Sequence, residues 1–230
     1  MAMSWEIESD KSYKEAVASV RRRVPMKRDE FDELSTAERQ NAFTVAEVTR
    51  ARVLQQVLDA VERAVDKGTG FEDFQDEVAD SLVESWSGEI PGRLENIFRT
   101  NVLTSYADGR HAVNNAPAVR EARPYWRYDD VEDDKECDEC NACSGVVLPA
   151  DDPWWATHHP LLHYQCRCTV TALSPEEAEE EGIADAGPEI DADEGFGDEP
   201  TSSGDDWGPN LDGLSDELRE VIEARLAKGE

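Results

Sequence analysis

The chain has 230 residues, enough for one or two domains with cores of their own, yet only 39% are hydrophobic and 7% aromatic, which is thin for a single globule and leaves part of the chain unpacked. Its formal net charge is -30, from 53 acidic and 23 basic residues, and a surface of that sign repels the phosphates of nucleic acid and disfavours non-specific binding to it. No apolar run approaches the length of a membrane span, and the opening MAMSWEIESDKSY lacks the charged-then-apolar layout of a signal peptide, so the expected place of synthesis and use is the cytoplasm, with reduced cysteines.

The first 40 residues are mixed and charged, with one helix expected around Tyr13–Val24 and ended by Pro25. Arg21, Arg22 and Arg23, with Lys27 and Arg28 nearby, form the one basic cluster, a candidate contact for an acidic partner or packaged DNA and otherwise a solvated helix end. From Val45 to Val65 the residues Val45, Val48, Val53, Leu54, Val57, Leu58, Val61 and Val65 recur mostly at three- and four-residue spacing, which predicts a long amphipathic helix. Gly68 and Gly70 follow it as stop signals, and Thr69-Gly-Phe-Glu72 has the form of a capping box. The next helix carries Phe71, Phe74, Val78, Leu82 and Val83, and a third runs from about Pro91 to Asn114 with Leu94, Ile97, Phe98, Val102, Leu103 and Tyr106 facing inward. This is a helical domain over residues 1–116.

The texture changes at Pro117. Pro124-Tyr-Trp-Arg-Tyr128, Val146-Val-Leu148 and Arg167-Cys-Thr-Val-Thr-Ala172 read as short strands, giving a small, loop-rich, mostly β module over residues 117–173. A module of about 55 residues needs a staple. Residues 174–210 are rich in Glu, Asp, Gly, Pro and Ser and read as a disordered acidic linker. Residues 211–230 end the chain with an amphipathic helix, Leu214, Leu218, Val221, Ile222 and Leu226 on one face and Ser215 as its cap, expected to dock on another subunit rather than on its own domain. Residues 174–230 hold 20 acidic and 3 basic residues and residues 1–173 hold 33 and 20, so acidity is concentrated in the tail without being confined to it. A solvated tail on an ordinary domain and a whole surface adapted to high salt, from a halophilic source, both fit that split.

The stretch that carries chemistry is Cys137-Asp-Glu-Cys140, then Cys143, then His163-Tyr-Gln-Cys166-Arg-Cys168. Zinc takes four sulfur or imidazole ligands in a tetrahedron, and a Cys-x2-Cys knuckle with a His-x2-Cys pair can supply them. Cys137, Cys140, His163 and Cys166 are the expected ligands of a structural Zn2+. Cys168 is their main substitute, because on an extended chain it points to the same side as Cys166. Cys143 is left as a bystander, and His158 and His159 are expected to pack on Trp154 and Trp155 more readily than to touch the metal. Five cysteines, odd in number and tightly clustered, favour a metal over disulfides. Four available ligands favour a closed site over a catalytic one, and no phosphate loop or nucleophile elbow is present in the sequence, so no enzyme activity, no catalytic residue and no small-molecule substrate is expected.

Two blocks resemble a known family. Asn96-Ile-Phe-Arg-Thr-Asn101 followed by Thr104-Ser-Tyr-Ala-Asp-Gly-Arg110 is similar to one helix of the Mu F-like family of minor head, or head morphogenesis, proteins of tailed phages. Tyr125-Trp-Arg-Tyr128, the knuckle, Ser144-Gly-Val-Val-Leu148, Asp151-Asp-Pro-Trp-Trp155 and His163-Tyr-Gln-Cys166-Arg-Cys168 are similar to that family's second block. The chain departs from the pattern at Asp138, where a proline is common, at the extra Cys143, and at Leu161-Leu162, where prolines are usual; no candidate ligand is lost. The resemblance covers about residues 90–173. It implies a virion protein of low copy number that contacts the portal protein or major capsid protein and acts in head assembly or genome delivery, in the host cytoplasm during assembly and near the portal in the head afterwards. Beside it stands a different class, a zinc-ribbon nucleic-acid-binding or regulatory protein, against which the acidity counts. The fold class expected is α+β.

Overall fold

A computed structural model describes residues 13–83, 86, 90–131, 133, 137–200 and 216–227. The architecture is α+β, with helices dominating the first half and a small sheet in the second. The first helix, α1 (Lys14–Arg22), buries Ala16, Val17 and Val20 and stops where Arg23 turns extended ahead of Val24-Pro25. That dipeptide is strand β1 and pairs in parallel with β2 (Ala42–Phe43), a contact the sequence pattern does not announce. Two short helices, α2 (Arg28–Asp32) and α3 (Thr36–Arg39), lie between; Glu30 and Glu38 reach back at 2.9 Å to the backbone N–H groups of Lys27 and Ser35.

The apolar stripe forms α4 (Ala51–Lys67), closed by Gly68 in the left-handed conformation with its N–H on the Ala64 carbonyl. The helix begins later than its periodicity suggests. Val45 and Val48 are buried but precede it, on a loop that Glu47 bends with a φ of 68°. Thr44, Val45, Val48 and Thr49 are all β-branched, which disfavours helix there, so these two valines enter the same core from a turn. Helices α5 (Phe71–Val83) and α6 (Ile90–Asn114) complete the layer, the latter with Pro91 in its first turn. Leu54, Val57, Leu58, Val61, Phe74, Val78, Leu82 and Leu94 make one apolar cluster, each 2% exposed or less.

The family-like block on α6 faces α1 through Tyr106, Asp108 and Gly109, while Asn96 accepts a hydrogen bond from Gln165 at 2.6 Å and Leu103 of the same helix packs on the cysteine-bearing module. Tyr106 stacks on Tyr13 at 5.9 Å, and Gly109 lies so close to α1 that a Cβ there would sit 2.6 Å from the Ala16 nitrogen. Asp108 accepts hydrogen bonds from Ser19 at 2.5 Å and from buried Arg23 at 3.3 Å, while the Asn101 side-chain oxygen takes Arg23 at 3.1 Å. Of the basic cluster Arg21, Arg22 and Arg23, these contacts withdraw Arg23 from any acidic partner or packaged DNA, while Arg21 and Arg22 are exposed. Arg23 is 4% exposed and serves the fold, whereas Arg21 pairs with Glu62 at 2.8 Å on the surface, where an ion pair contributes little.

Beyond α6, Pro117 opens a helix, α7 (Pro117–Ala122), not a β segment. Three strands follow: β3 (Tyr125–Asp129), β4 (Val147–Pro149) and β5 (Thr169–Leu173), in the order β4-β3-β5 and antiparallel throughout, with Trp126 opposite both Leu148 and Ala172. Helical turns α8 (Asp138–Cys143) and α9 (Trp155–His158) lie in the connections. Trp126, Tyr128, Leu148, Trp155, Leu162 and Cys166 centre a second apolar cluster, separate from that of the helical layer.

Residues 174–200 differ from the expected disordered linker. Ser174 caps α10 (Pro175–Glu181), accepting from the Glu177 N–H. The chain then straps the module: Ala184 donates to the Val147 carbonyl, Asp193 to Leu162, Gly197 to Leu161, and His159 to Gly197, all at 2.8–2.9 Å. Ile190 and Phe196 supply the few apolar anchors this needs. The terminal helix α11 (Asp216–Leu226) also differs from expectation, because it folds back on its own chain. Leu218 and Ile222 are fully buried beside Val24 and Ala51, and buried Arg225 donates to the carbonyls of Val20 and Arg23 and pairs with Asp59 and Glu62. Ser215, Leu211 and Leu214 lie outside the described residues. No helix of the described residues is long and apolar enough to cross a membrane.

Candidate metal centre

The cysteines gather behind the three-stranded sheet. The knuckle Cys137-Asp-Glu-Cys140 starts α8: Cys137 is the residue that caps it, its sulfur accepting the Cys140 N–H at 3.3 Å. One helical turn then carries Cys140 inward until its side chain is buried. On the other side, Gln165 adopts a φ of 63°, and the Cys166 N–H closes on the His163 carbonyl at 3.2 Å. This tight reversal brings His163 and Cys166 to the same cluster. Cys168 follows two residues on, just before β5.

Five donor atoms converge. His163 Nε2 lies 3.0 Å from Cys137 Sγ and 3.1 Å from Cys140 Sγ, and Cys140 Sγ lies 3.7 Å from Cys166 Sγ. Two groups of three fall within 4.8 Å of one another: Cys137, Cys140 and His163, and Cys140, Cys166 and Cys168, with Cys140 in both. Three of the expected donors, Cys137, Cys140 and His163, make up one group, and the fourth, Cys166, joins Cys140 and Cys168 in the other. Cys143 is fully buried but joins neither group, and burial pushes its thiol up to about 12.

The electrostatics suit a cation. Hydrogen bonds from Cys140, then Cys168, hold the Cys166 thiol far below its ordinary range, and the same bond to Cys166 pushes Cys140 up. Thiols this close and this buried would bind a metal ion as thiolates, its positive charge offsetting theirs. His163 Nδ1 lies 2.7 Å from the Tyr164 carbonyl, which only an N–H can satisfy, so Nε2 presents its lone pair to the sulfurs. Arg167 grips Asp133 with two bonds of 2.6 Å at the rim. This donor set fits a thiophilic divalent ion such as Zn2+ better than a hard, oxygen-seeking one.

His158 and His159 stay out of the cluster. His158 stacks on Trp154 at 4.5 Å, and His159 is buried edge-on to His111, burial and that neighbour lowering its pKa to about 3. The Arg23–Asp108–Ser19–Asn101 network was not read from the sequence; an arginine in a basic run and an aspartate in a helix carry no signal of a shared partner.

Fold and site together define an α+β chain in which a compact sheet shelters a thiol–imidazole cluster beside a helical layer. Residues 55–171, just over half of the chain, match the family described as Phage Mu protein F like protein, and the chain belongs to that family. It is 34% identical over 166 residues to the Mu-like prophage FluMu F protein of Haemophilus influenzae, a match covering 66% of this chain and 39% of that protein. It is 35% identical over 161 residues to the "Putative capsid assembly protein F" of Escherichia phage Mu, covering 62% of this chain and 36% of that protein. The matched stretch therefore spans less than two-fifths of the length of either relative. No solved structure matches the chain.

Proposed function

We propose that this chain is a minor head protein of a tailed virus that acts structurally in capsid assembly, in contact with the portal protein or the inner face of the major capsid protein. The observation that carries the reading is the family match across α4, α6 and the whole cysteine cluster, together with the name of the phage Mu relative. The chain has no enzymatic role in this reading. Its helical domain, residues 1–116, and its β module, from residue 117, are two structural units, the second stapled by a Zn2+ held by four of Cys137, Cys140, His163, Cys166 and Cys168. Zinc, when bound, supplies folding free energy to the module, and the chain's own residues hold it, orient it and exclude water. The protein enters the virion head near the portal after assembly in the host cytoplasm.

The test is mass spectrometry of purified particles, with this chain counted against the major capsid protein. A fixed, low ratio that survives stringent washing is expected. Absence of the chain from both mature particles and assembly intermediates would overturn the reading.

A further inference from the structure

The cluster holds one donor more than a tetrahedral ion accepts, and the surroundings of the five donors differ. Cys140, Cys166 and Cys168 are buried together, whereas Cys137 is only half-buried at the mouth of the cleft. The Cys140–Cys166 separation of 3.7 Å matches the sulfur–sulfur edge of about 3.8 Å that a tetrahedron with Zn–S bonds of about 2.3 Å requires, so this pair belongs to the ligand set whether Cys137 or Cys168 completes it. A second observation separates Cys168 from Cys137. Tyr128, on the central strand β3, is fully buried, and its hydroxyl has no hydrogen-bond partner. The hydroxyl lies beside the sulfurs of Cys166 and Cys168, and a phenol is a hydrogen-bond donor. An unpaired buried hydroxyl is costly, and a thiolate at Cys168 would give it an acceptor.

We propose, resting on the metal reading above, that the ion is held by Cys140, Cys166, Cys168 and His163, with the Tyr128 hydroxyl donating to the Cys168 sulfur, and that Cys137 is the surplus donor. This reverses the preference drawn from spacing alone, in which Cys137 of the knuckle ranks ahead of Cys168. Cys137 then has a different task. Its sulfur accepts the Cys140 N–H at the start of α8 and so sets the direction from which Cys140 approaches. A group that orients a ligand without binding the metal is worth about 10-fold to 100-fold in affinity, and the same range applies to the Tyr128 hydroxyl.

The experiment is zinc stoichiometry by native mass spectrometry and competition titration on the full-length chain and three variants, followed by Co2+ substitution. The wild type and Cys137→Ser should each hold one ion, with Co2+ spectra showing the same three-thiolate charge-transfer intensity. Cys168→Ser should lose the stoichiometric ion, and Tyr128→Phe should keep it with affinity lowered about 10-fold. Because Cys168→Ser can fail by misfolding, the Co2+ spectrum of the folded Cys137→Ser chain decides on its own: a drop from three thiolates to two overturns the assignment. Loss of the ion in Cys137→Ser with retention in Cys168→Ser overturns it while leaving the metal reading intact. A wild-type chain that binds no zinc overturns both.

Discussion

The helical layer and the cysteine-bearing module solve the same problem by opposite means. In the helical layer, α4 presents an apolar face to α1, α5 and α6, and one contiguous cluster of Val, Leu and Phe side chains supplies the burial. The module has fewer aliphatic residues, places Trp126, Tyr128 and Trp155 at its centre, and sets four of its five cysteines into the same cluster, the fifth half-buried at its edge. The lesson is that a short, acidic segment can be built around aromatics and thiols when it cannot assemble a large aliphatic core, and that those thiols then form a cluster that could hold a metal ion.

The largest expected effect separates the two regions. Cys140→Ser removes the donor common to both thiol groups and should unfold the module, because structural zinc contributes roughly 10 kcal/mol or more to modules of this size. The helices should keep their circular-dichroism signal. In the helical layer the corresponding lever is a side chain: Leu58→Ala, at a position with no exposure, should destabilise that layer by about 2–5 kcal/mol in chemical denaturation while zinc stays bound. Equal loss of both transitions in either variant would show that the regions do not unfold separately.

A smaller effect is expected at the seam between α1 and α6. Gly109→Ala would place a methyl group 2.6 Å from backbone that cannot rotate away, so α1 must shift. A loss of about 1–3 kcal/mol, read as a lowered denaturation midpoint, is the expected outcome; a neutral result would mean that α1 is not seated as described.

The smallest effect is one of pH. His159 has its folded pKa lowered to about 3, first by burial and then by His111. A histidine depressed below its unfolded value of about 6.5 is neutral in the fold and takes up a proton on unfolding. Its contribution is therefore fully present above pH 6.5 and is lost as pH falls from there towards 3. The slope of melting temperature against pH in this window should be shallower for His159→Gln than for wild type. Parallel slopes would remove His159 from the account of acid sensitivity.

How much of this was legible in the sequence depended on whether the signal was local. The stripe of α4, its Gly68 stop and the inward face of α6 are periodic, so they could be read; Val45 and Val48 continue the period by coincidence of a turn. The β1–β2 contact is two residues long and purely tertiary, and nothing local marks it. Residues 174–200 were misread because composition measures average apolarity, whereas their order depends on a few anchors, Ile190 and Phe196, and on backbone bonds to Leu161 and Leu162. The terminal helix showed its apolar face but not what covers it, since Val24 and Ala51 lie far away in the chain. The cluster itself was visible from spacing alone. The choice among its donors was not, because Cys166 and Cys168 share a side of an extended chain and Tyr128 comes into their cluster only through the fold.

Hydrogen exchange on the full-length chain, before and after stripping by a strong zinc chelator, tests the contrast between the two regions most directly. Protection should vanish from β3, β4 and β5 after chelation and persist in α4 and α6. Protection of the three strands that is the same with and without chelator would contradict the claim that an ion holds the module together.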